Sequence, residues 1–379
     1  MRYKVILIIS IVISLLSCNR HESLVPIQEL SFDIGFESRS KFEGVFYDHI
    51  YQDSLFYFAD PVTEKKIMFF DRLGNKKDSV SLVNGLNKIL NIEDLIIVSR
   101  DTILLNNNYS GSIVVLNKKG DIWHRINLNQ YDSLGNYYEY KFTSLNKTLL
   151  KNNSLLTASK WYGNKFEENK HFETEAEKTK YFYNRVAKEP YFMKVSNIFS
   201  ENPVQIYALK NFYNKFVKDK SLIVEGNSYY VTDDKILVSS SFSSKVFVYN
   251  LHDFSLIKEI EILPPNEAVS IAPLITDSGL SHELNDELRS KSMITNIGYS
   301  KSKKKYVFQR RKDISKNKKT ENIPFELIVL NDNFKVDKTL FFDGVDYLWY
   351  GSFITENNIF LLSKNKNRYG VKNYGLFKI

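Results

Sequence analysis

The 379-residue sequence predicts an all-β protein, a six-bladed β-propeller of four-stranded antiparallel blades. Three observations point there: a strand-and-turn pattern recurring at 46 residues, six places where a polar turn opens directly into an apolar strand, and chain ends that each carry part of one repeat. With 43% hydrophobic and 14% aromatic residues, the chain can bury a large core.

In chain order, the first element is an export signal. Arg2 and Lys4 precede an apolar stretch from Val5 to Leu16. Its 12 residues fall short of the about 20 that a bilayer-spanning helix needs, so the stretch reads as a signal peptide. Leu15-Leu16-Ser17-Cys18 resembles the lipobox of bacterial lipoproteins. That resemblance implies removal of residues 1–17, lipid attachment at Cys18 and a tether over 18–26, which fixes the protein to a membrane. Asn19 after the cysteine implies outer-membrane anchoring, with the periplasmic or surface face left open. An ordinary signal peptide with an incidental cysteine is the alternative. Cys18 is the only cysteine, so thiol catalysis, thiolate metal sites and disulfides are excluded from the mature chain.

The formal charge is +8, and loss of Arg2 and Lys4 lowers it to +6. No dense basic stripe is present, which argues against nucleic acid as a partner. The runs Lys301–Lys305 and Lys316–Lys319 read as solvated hairpin tips.

Residues 27–379 form the propeller domain. Phe58-Ala59-Asp60 through Lys66-Ile67-Met68-Phe69-Phe70-Asp71 and Gly74 recurs, 46 residues later, as Leu104-Leu105-Asn106 through Ser112-Ile113-Val114-Val115-Leu116-Asn117 and Gly120. Later copies end on Tyr249-Asn250 and Leu330-Asn331. Each copy reads strand, turn, strand, turn, strand, an antiparallel meander. The turn-to-strand marker recurs at Asp53-Ser54, Asp101-Thr102, Asn153-Ser154, Asp234-Lys235, Lys304-Lys305 and Asn357-Asn358, which implies six sheets. Such units bury both faces only by packing radially, and a closed ring removes their free edges. A seventh blade between Tyr131 and Asp219 is the alternative.

Tyr57-Phe58-Ala59-Asp60 with Lys66-Ile67-Met68-Phe69-Phe70-Asp71-Arg72-Leu73-Gly74 resembles the NHL repeat. With the lipobox, these degenerate blades resemble the NHL- or TolB-like six-bladed propeller lipoproteins of Bacteroidota, a group of unknown function that implies fold and location but no activity. The last repeat, ending Leu376-Phe377-Lys378-Ile379, lacks one strand, and Ile27 to Ile34 can supply it. The two ends are therefore expected to pair and close the ring.

Naming the strands of a blade a to d, the b–c and d–a connections leave one rim and the a–b and c–d turns the other. The c–d turns Asp71–Lys76, Asn117–Asp121, Asn250–Ser255 and Asn331–Lys335 are tight. The long segments Trp161–Pro190, Lys312–Pro324, Lys364–Asn373 and Leu263–Met293 all fall on the first rim, with short helices expected over Glu167–Val186 and Ser281–Ser290. Loops on a rigid scaffold are where binding concentrates. Trp161, Tyr162, Arg310, Arg311, Trp349 and Tyr350 are the candidate contact residues, because exposed aromatics and arginines dominate recognition.

No catalytic motif appears. His21, His49, His124, His171, His252 and His282 are dispersed, without metal-ligand spacing. No Gly-x-Ser-x-Gly elbow or phosphate-cradling glycine loop occurs, and no cofactor is expected. Asp132–Asn136 lacks the acid alternation of a calcium loop. The sequence thus reads as a lipid-anchored binding or scaffold module for an envelope protein or glycan. The alternative is a propeller enzyme acting on polysaccharide through carboxylates such as Asp60, Asp233 or Asp346, or a histidine, lining the channel.

Overall fold

The computed structural model describes residues 24–39, 42–83, 92–107, 111–131, 134–140, 149–151, 153–164, 171–174, 176–178, 181, 191–199, 204–209, 227–232, 234–240, 245–262, 275–276, 279–280, 292–312, 322–355 and 357–379. The chain begins with β1 (Gln28–Asp33) and then lays down one meander after another. Blade 1 holds β2 (Glu43–Asp48), β3 (Asp53–Asp60), β4 (Lys66–Phe70) and β5 (Lys76–Ser81). Blade 2 holds β6 (Ile92–Ser99), β7 (Thr102–Asn107), β8 (Ser112–Leu116) and β9 (Ile122–Asn127). Blade 3 holds β10 (Gln130–Tyr131), β11 (Asn136–Tyr140), β12 (Leu149–Lys151), β13 (Ser154–Asn164), β14 (Tyr191–Val195) and β15 (Gln205–Ala208). Blade 4 holds β16 (Asn227–Val231), β17 (Lys235–Ser240), β18 (Lys245–Asn250) and β19 (Leu256–Glu261). A two-stranded ladder, β20 (Ile275–Thr276) with β21 (Gly279–Leu280), precedes blade 5, which holds β22 (Met293–Ser300), β23 (Lys305–Arg311), β24 (Phe325–Asn331) and β25 (Val336–Phe342). Blade 6 holds β26 (Phe353–Ile354), β27 (Asn358–Leu362) and β28 (Val371–Lys378), with β1 as its outer strand.

The core is six-fold, with one apolar cluster at each seam. Tyr57 and Phe69 of blade 1 meet Leu95 and Leu105 of blade 2, and Leu104 and Val115 meet Leu155 and Met193. Leu156 and Phe192 of blade 3 pack directly on Ile236 and Phe247 of blade 4, so no seventh blade intervenes. Leu237 and Val246 meet Tyr306 and Phe308, and Val307 and Leu327 meet Ile359 and Leu361. Phe32, Phe360 and Tyr374 of blade 6 return to Phe56 and Phe58 of blade 1. Adjacent residues along a strand serve opposite seams because their side chains alternate across the sheet. Each fully buried phenylalanine contributes roughly 1.5–3 kcal/mol of transfer free energy.

The 46-residue signal is turn chemistry. Asp71 Oδ1 accepts the backbone N–H groups of Leu73 and Asn75 (both 2.9 Å), and Asn117 Oδ1 those of Lys119 and Asp121 (2.9 and 3.0 Å). Asn331 Oδ1 does the same for Asn333 and Lys335 (3.0 and 3.1 Å). The left-handed position of these turns is Gly74 (φ +84°) or Gly120 (φ +75°), but Phe334 (φ +62°) in blade 5. There the strained backbone is offset by stacking of the Phe334 ring on Tyr306, centroids 4.6 Å apart. The six a–b markers all open b strands: β3, β7, β13, β17, β23 and β27.

The ends pair as the sequence implied. β1 runs antiparallel to β28, with Gln28 opposite Leu376 and Asp33 opposite Val371. Ile27 N–H extends this ladder by donating to Leu376 O at 2.8 Å.

Two expectations change. Trp161 and Tyr162 belong to strand β13, so the connection there begins at residue 165. In that connection Ala176, Glu177, Lys178 and Tyr181 are helical, and the turn is capped by Thr174, whose Oγ1 accepts Glu177 N–H at 3.1 Å. Tyr181 packs inward on the blade 2–3 seam. The helix expected over Ser281–Ser290 lies outside the described residues, and the short β20–β21 ladder lies just before it.

Candidate functional site

Strand order places five long connections on one rim: residues 165–190 join β13 to β14, 209–226 join β15 to β16, 262–292 join β19 to β22, 312–324 join β23 to β24, and 363–370 join β27 to β28; residues 141–148 instead separate β11 from β12, which both pair with β13. Buried polar side chains also gather toward that end of the strands. Glu43, Asn107, Ser112, Arg310, Arg311, Glu326, Ser352 and Ser363 are all buried there.

The densest group belongs to blades 5 and 6. Arg310 and Glu326 are directly opposite across β23 and β24. Their buried side chains form an ion pair, and Lys312 Nζ reaches the second carboxylate oxygen at 3.0 Å. Arg310 shares the parity of Tyr306 and Phe308, so it faces blade 4, whereas Gln309 and Arg311 face blade 6. The Arg311 guanidinium lies over the Trp349 ring, 5.3 Å from its centroid. Ser352 Oγ donates to Gln309 Oε1 and accepts Asn296 Nδ2–H at 3.0 Å. Thr295, at the β22 bulge, donates within 3.3 Å of the carbonyls of Gln309 and Trp349. The loop carrying Trp349 and Tyr350 is thus fixed to the end of β23. The two rings meet edge to face at 5.1 Å, and Tyr350 stands 42% exposed.

A second polar group closes the ring at the same end. The Glu43 carboxylate is fully buried between Lys372 Nζ (2.9 Å) and the Tyr374 hydroxyl (3.0 Å). Burial, then the Glu43 charge, push the Tyr374 hydroxyl well above its usual range, so it remains a donor. Tyr57 crosses the next seam, donating to Leu95 O at 3.3 Å, and lies so close over Gly44 that a Cβ there would be 2.4 Å from its hydroxyl oxygen.

The candidate contact residues separate on this frame. Arg310 and Arg311 are 3% and 5% exposed, so they brace the rim from beneath rather than presenting cations to solvent. Trp349 is half-buried against the blade 5–6 seam, which leaves Tyr350 at the surface. Trp161 pairs with Tyr138 in the β11–β13 ladder, and Tyr162 falls at the adjoining bulge. Cys18 lies outside the described residues. Tyr369, in the 363–370 connection and 72% exposed, was missed; an exposed aromatic in a connecting loop was its only signal.

Of the carboxylates named for catalysis, Asp346 is exposed in the connection between β25 and β26. Asp60 caps its own turn through Val62 and Thr63 N–H. Asp233 lies outside the described residues, and Asp234 pairs with Lys235 at 2.9 Å in an a–b turn. His49 and His252 lie in tight turns and His124 on outer strand β9, away from the Arg310–Glu326 group. Among the described residues, no three His, Cys, Asp or Glu side chains form a metal-holding group.

Fold comparison places the chain in known company. It is similar over 94% of its length to the crystal structure of a DUF4221 family member from Bacteroides vulgatus, with 98% of that chain covered, a TM-score of 0.69 and 16% identity. Streptogramin B lyase aligns over 94% of this chain and 100% of its own, at a TM-score of 0.40 and 11% identity. A protein of unknown function from Bacteroides caccae aligns over 76% and 78%, at 0.33 and 10%. The first likeness establishes the shared propeller fold. No family model and no curated protein matches the sequence.

Proposed function

We propose that this protein is a lipid-anchored propeller of a bacterial cell envelope that binds a protein or glycan partner on its insertion rim. One observation carries the reading: five long connections leave the same rim, where buried polar pairs fix the strand ends of blades 5, 6 and 1. Rigidly based loops present a binding surface at low ordering cost. Glu43 and Glu326, two of the buried carboxylates toward that rim, are each held by a cation, which suits bracing better than proton transfer. The Leu15–Cys18 motif supports the anchor and Asn19 supports an outer-membrane address.

Two experiments test this reading. Cys18→Ala is expected to abolish incorporation of labelled palmitate and to release the protein from membranes; persistent labelling would refute the anchor. Replacing residues 165–190 by a Gly-Ser linker is expected to reduce partner recovery from detergent-solubilised envelope. Equal recovery from both forms would count against the rim.

A further inference from the structure

We propose that the tight-turn edge of blades 5 and 6 rests on the anionic lipid headgroups of the membrane that holds the Cys18 lipid, so that the insertion rim points away from that membrane. The proposal rests on the reading of Cys18 as the anchor and adds an orientation to it.

The first ground is where the chain enters the ring. Ile27 and Gln28 pair with Leu376, so the preceding residues run alongside the C-terminal end of β28. That end belongs to the tight-turn rim, because Ile379 N–H donates to Asn357 O, in the a–b turn of blade 6, at 3.2 Å. Leu24 packs on the blade 5–6 seam. Only five residues, Asn19 to Ser23, separate Leu24 from Cys18. A chain that short spans at most about 20 Å, so this edge cannot stand far from the bilayer.

The second ground is charge. Lys301, Lys303 and Lys304 are exposed in the blade 5 a–b turn, Lys335 in its c–d turn and Lys378 at the end of β28. Lys338 joins the two blades, its Nζ donating to Lys378 O at 3.3 Å. Of the described acids here, Asp337 pairs with Lys305 at 2.7 Å and Asp332 accepts the Tyr299 hydroxyl at 3.3 Å; Glu356, between β26 and β27 in the sequence, lies outside the described residues. The blade 5 a–b turn carries three lysines and no acid, whereas tight turns of other blades mix their signs, as in Asp71 with Arg72, Lys118 with Asp121 and Asp234 with Lys235. Exposed Val25, Ile27 and Val336 border the lysines and suit shallow contact with a headgroup layer. A lysine cluster beside a lipid anchor is drawn to an anionic surface over about one Debye length.

The test uses the full lipidated protein in phosphatidylethanolamine–phosphatidylglycerol vesicles that carry a headgroup quencher. Cys18 is the sole native cysteine and is blocked when lipidated, so Val336→Cys and Tyr369→Cys each accept one fluorophore. Flotation comes first: if the protein does not float, or Cys18→Ala floats equally, the anchor reading fails and takes this proposal with it. When it floats, the Val336→Cys label is expected to be quenched roughly threefold or more above the Tyr369→Cys label, as one-sided headgroup contact requires. The difference is expected to shrink in K301E/K303E/K304E, and equally in high salt, which needs no substitution. Equal quenching at the two positions overturns the orientation even with the anchor intact. A difference unmoved by both charge reversal and salt overturns the lysine contact.

Discussion

Phe32→Ala tests ring closure at its most concentrated point. Phe32 is on β1, the strand that arrives from the opposite end of the chain, and its side chain is fully buried. Its ring lies 5.1 Å from both Phe56 and Phe58, 5.6 Å from Phe70 and 5.8 Å from Tyr374, so one side chain joins blade 6 to blade 1. Truncating a buried phenylalanine costs about 3–5 kcal/mol when the cavity cannot collapse. Three of these four neighbours sit on strands of the other blade, so collapse would require parting the seam, and the upper half of that range, about 4 kcal/mol, is expected. Urea unfolding followed by tryptophan fluorescence and by far-ultraviolet circular dichroism measures the loss. Phe341→Ala, at a partly exposed position on β25, is the control and should cost under about 1 kcal/mol. A Phe32→Ala loss no larger than the control's would refute the closure argument.

Other predictions follow from single contacts. Burial alone would raise the Asp71 carboxyl, but hydrogen bonds from Lys77 and Asn75 and from the Asn75 and Leu73 N–H groups hold it at about 2. Its folded pKa is therefore below its unfolded one, so its stabilisation is present above about pH 4 and is lost as pH falls toward 2. Asp71→Asn should be about 1 kcal/mol less stable than wild type at pH 7, with the gap narrowing toward pH 2 in urea melts; a pH-independent gap would contradict this. Gly74→Ala, at φ +84° with Ser31 O 2.4 Å from the new Cβ, should cost about 2 kcal/mol, and a neutral result would place that turn wrongly. Glu326→Gln should cost about 3 kcal/mol by leaving Arg310 without its buried carboxylate, whereas Arg310→Met with Glu326→Leu together should cost less; the reverse order would refute the bracing role.

The architecture was legible because it is written in local chemistry. Asp71, Asn117 and Asn331 end their strands with the same side-chain-to-backbone bonds, and that recurrence is what made the period visible. Asn250 uses a longer turn that puts Phe254, not glycine, at positive φ, so the blade 4 copy looked degenerate. Blade 3 hid its inner strand because β11 and β12 each cover part of β13. The burial of Arg310 and Arg311 was illegible from composition, since two adjacent cations at a strand end look solvated. Hairpin register held the missing information, because pairing Lys305 with Asn331 forces Arg310 onto Glu326. The anchor's side of the ring likewise required knowing which end of β28 receives β1.

The most direct test of the insertion rim as the working face is in-cell photo-crosslinking. A benzoylphenylalanine placed at Tyr350 or Tyr369 should capture the same partner, while one at Ile50 or Leu73, exposed on the tight-turn rim, should not. Capture of that partner from Ile50 or Leu73 alone would contradict the account.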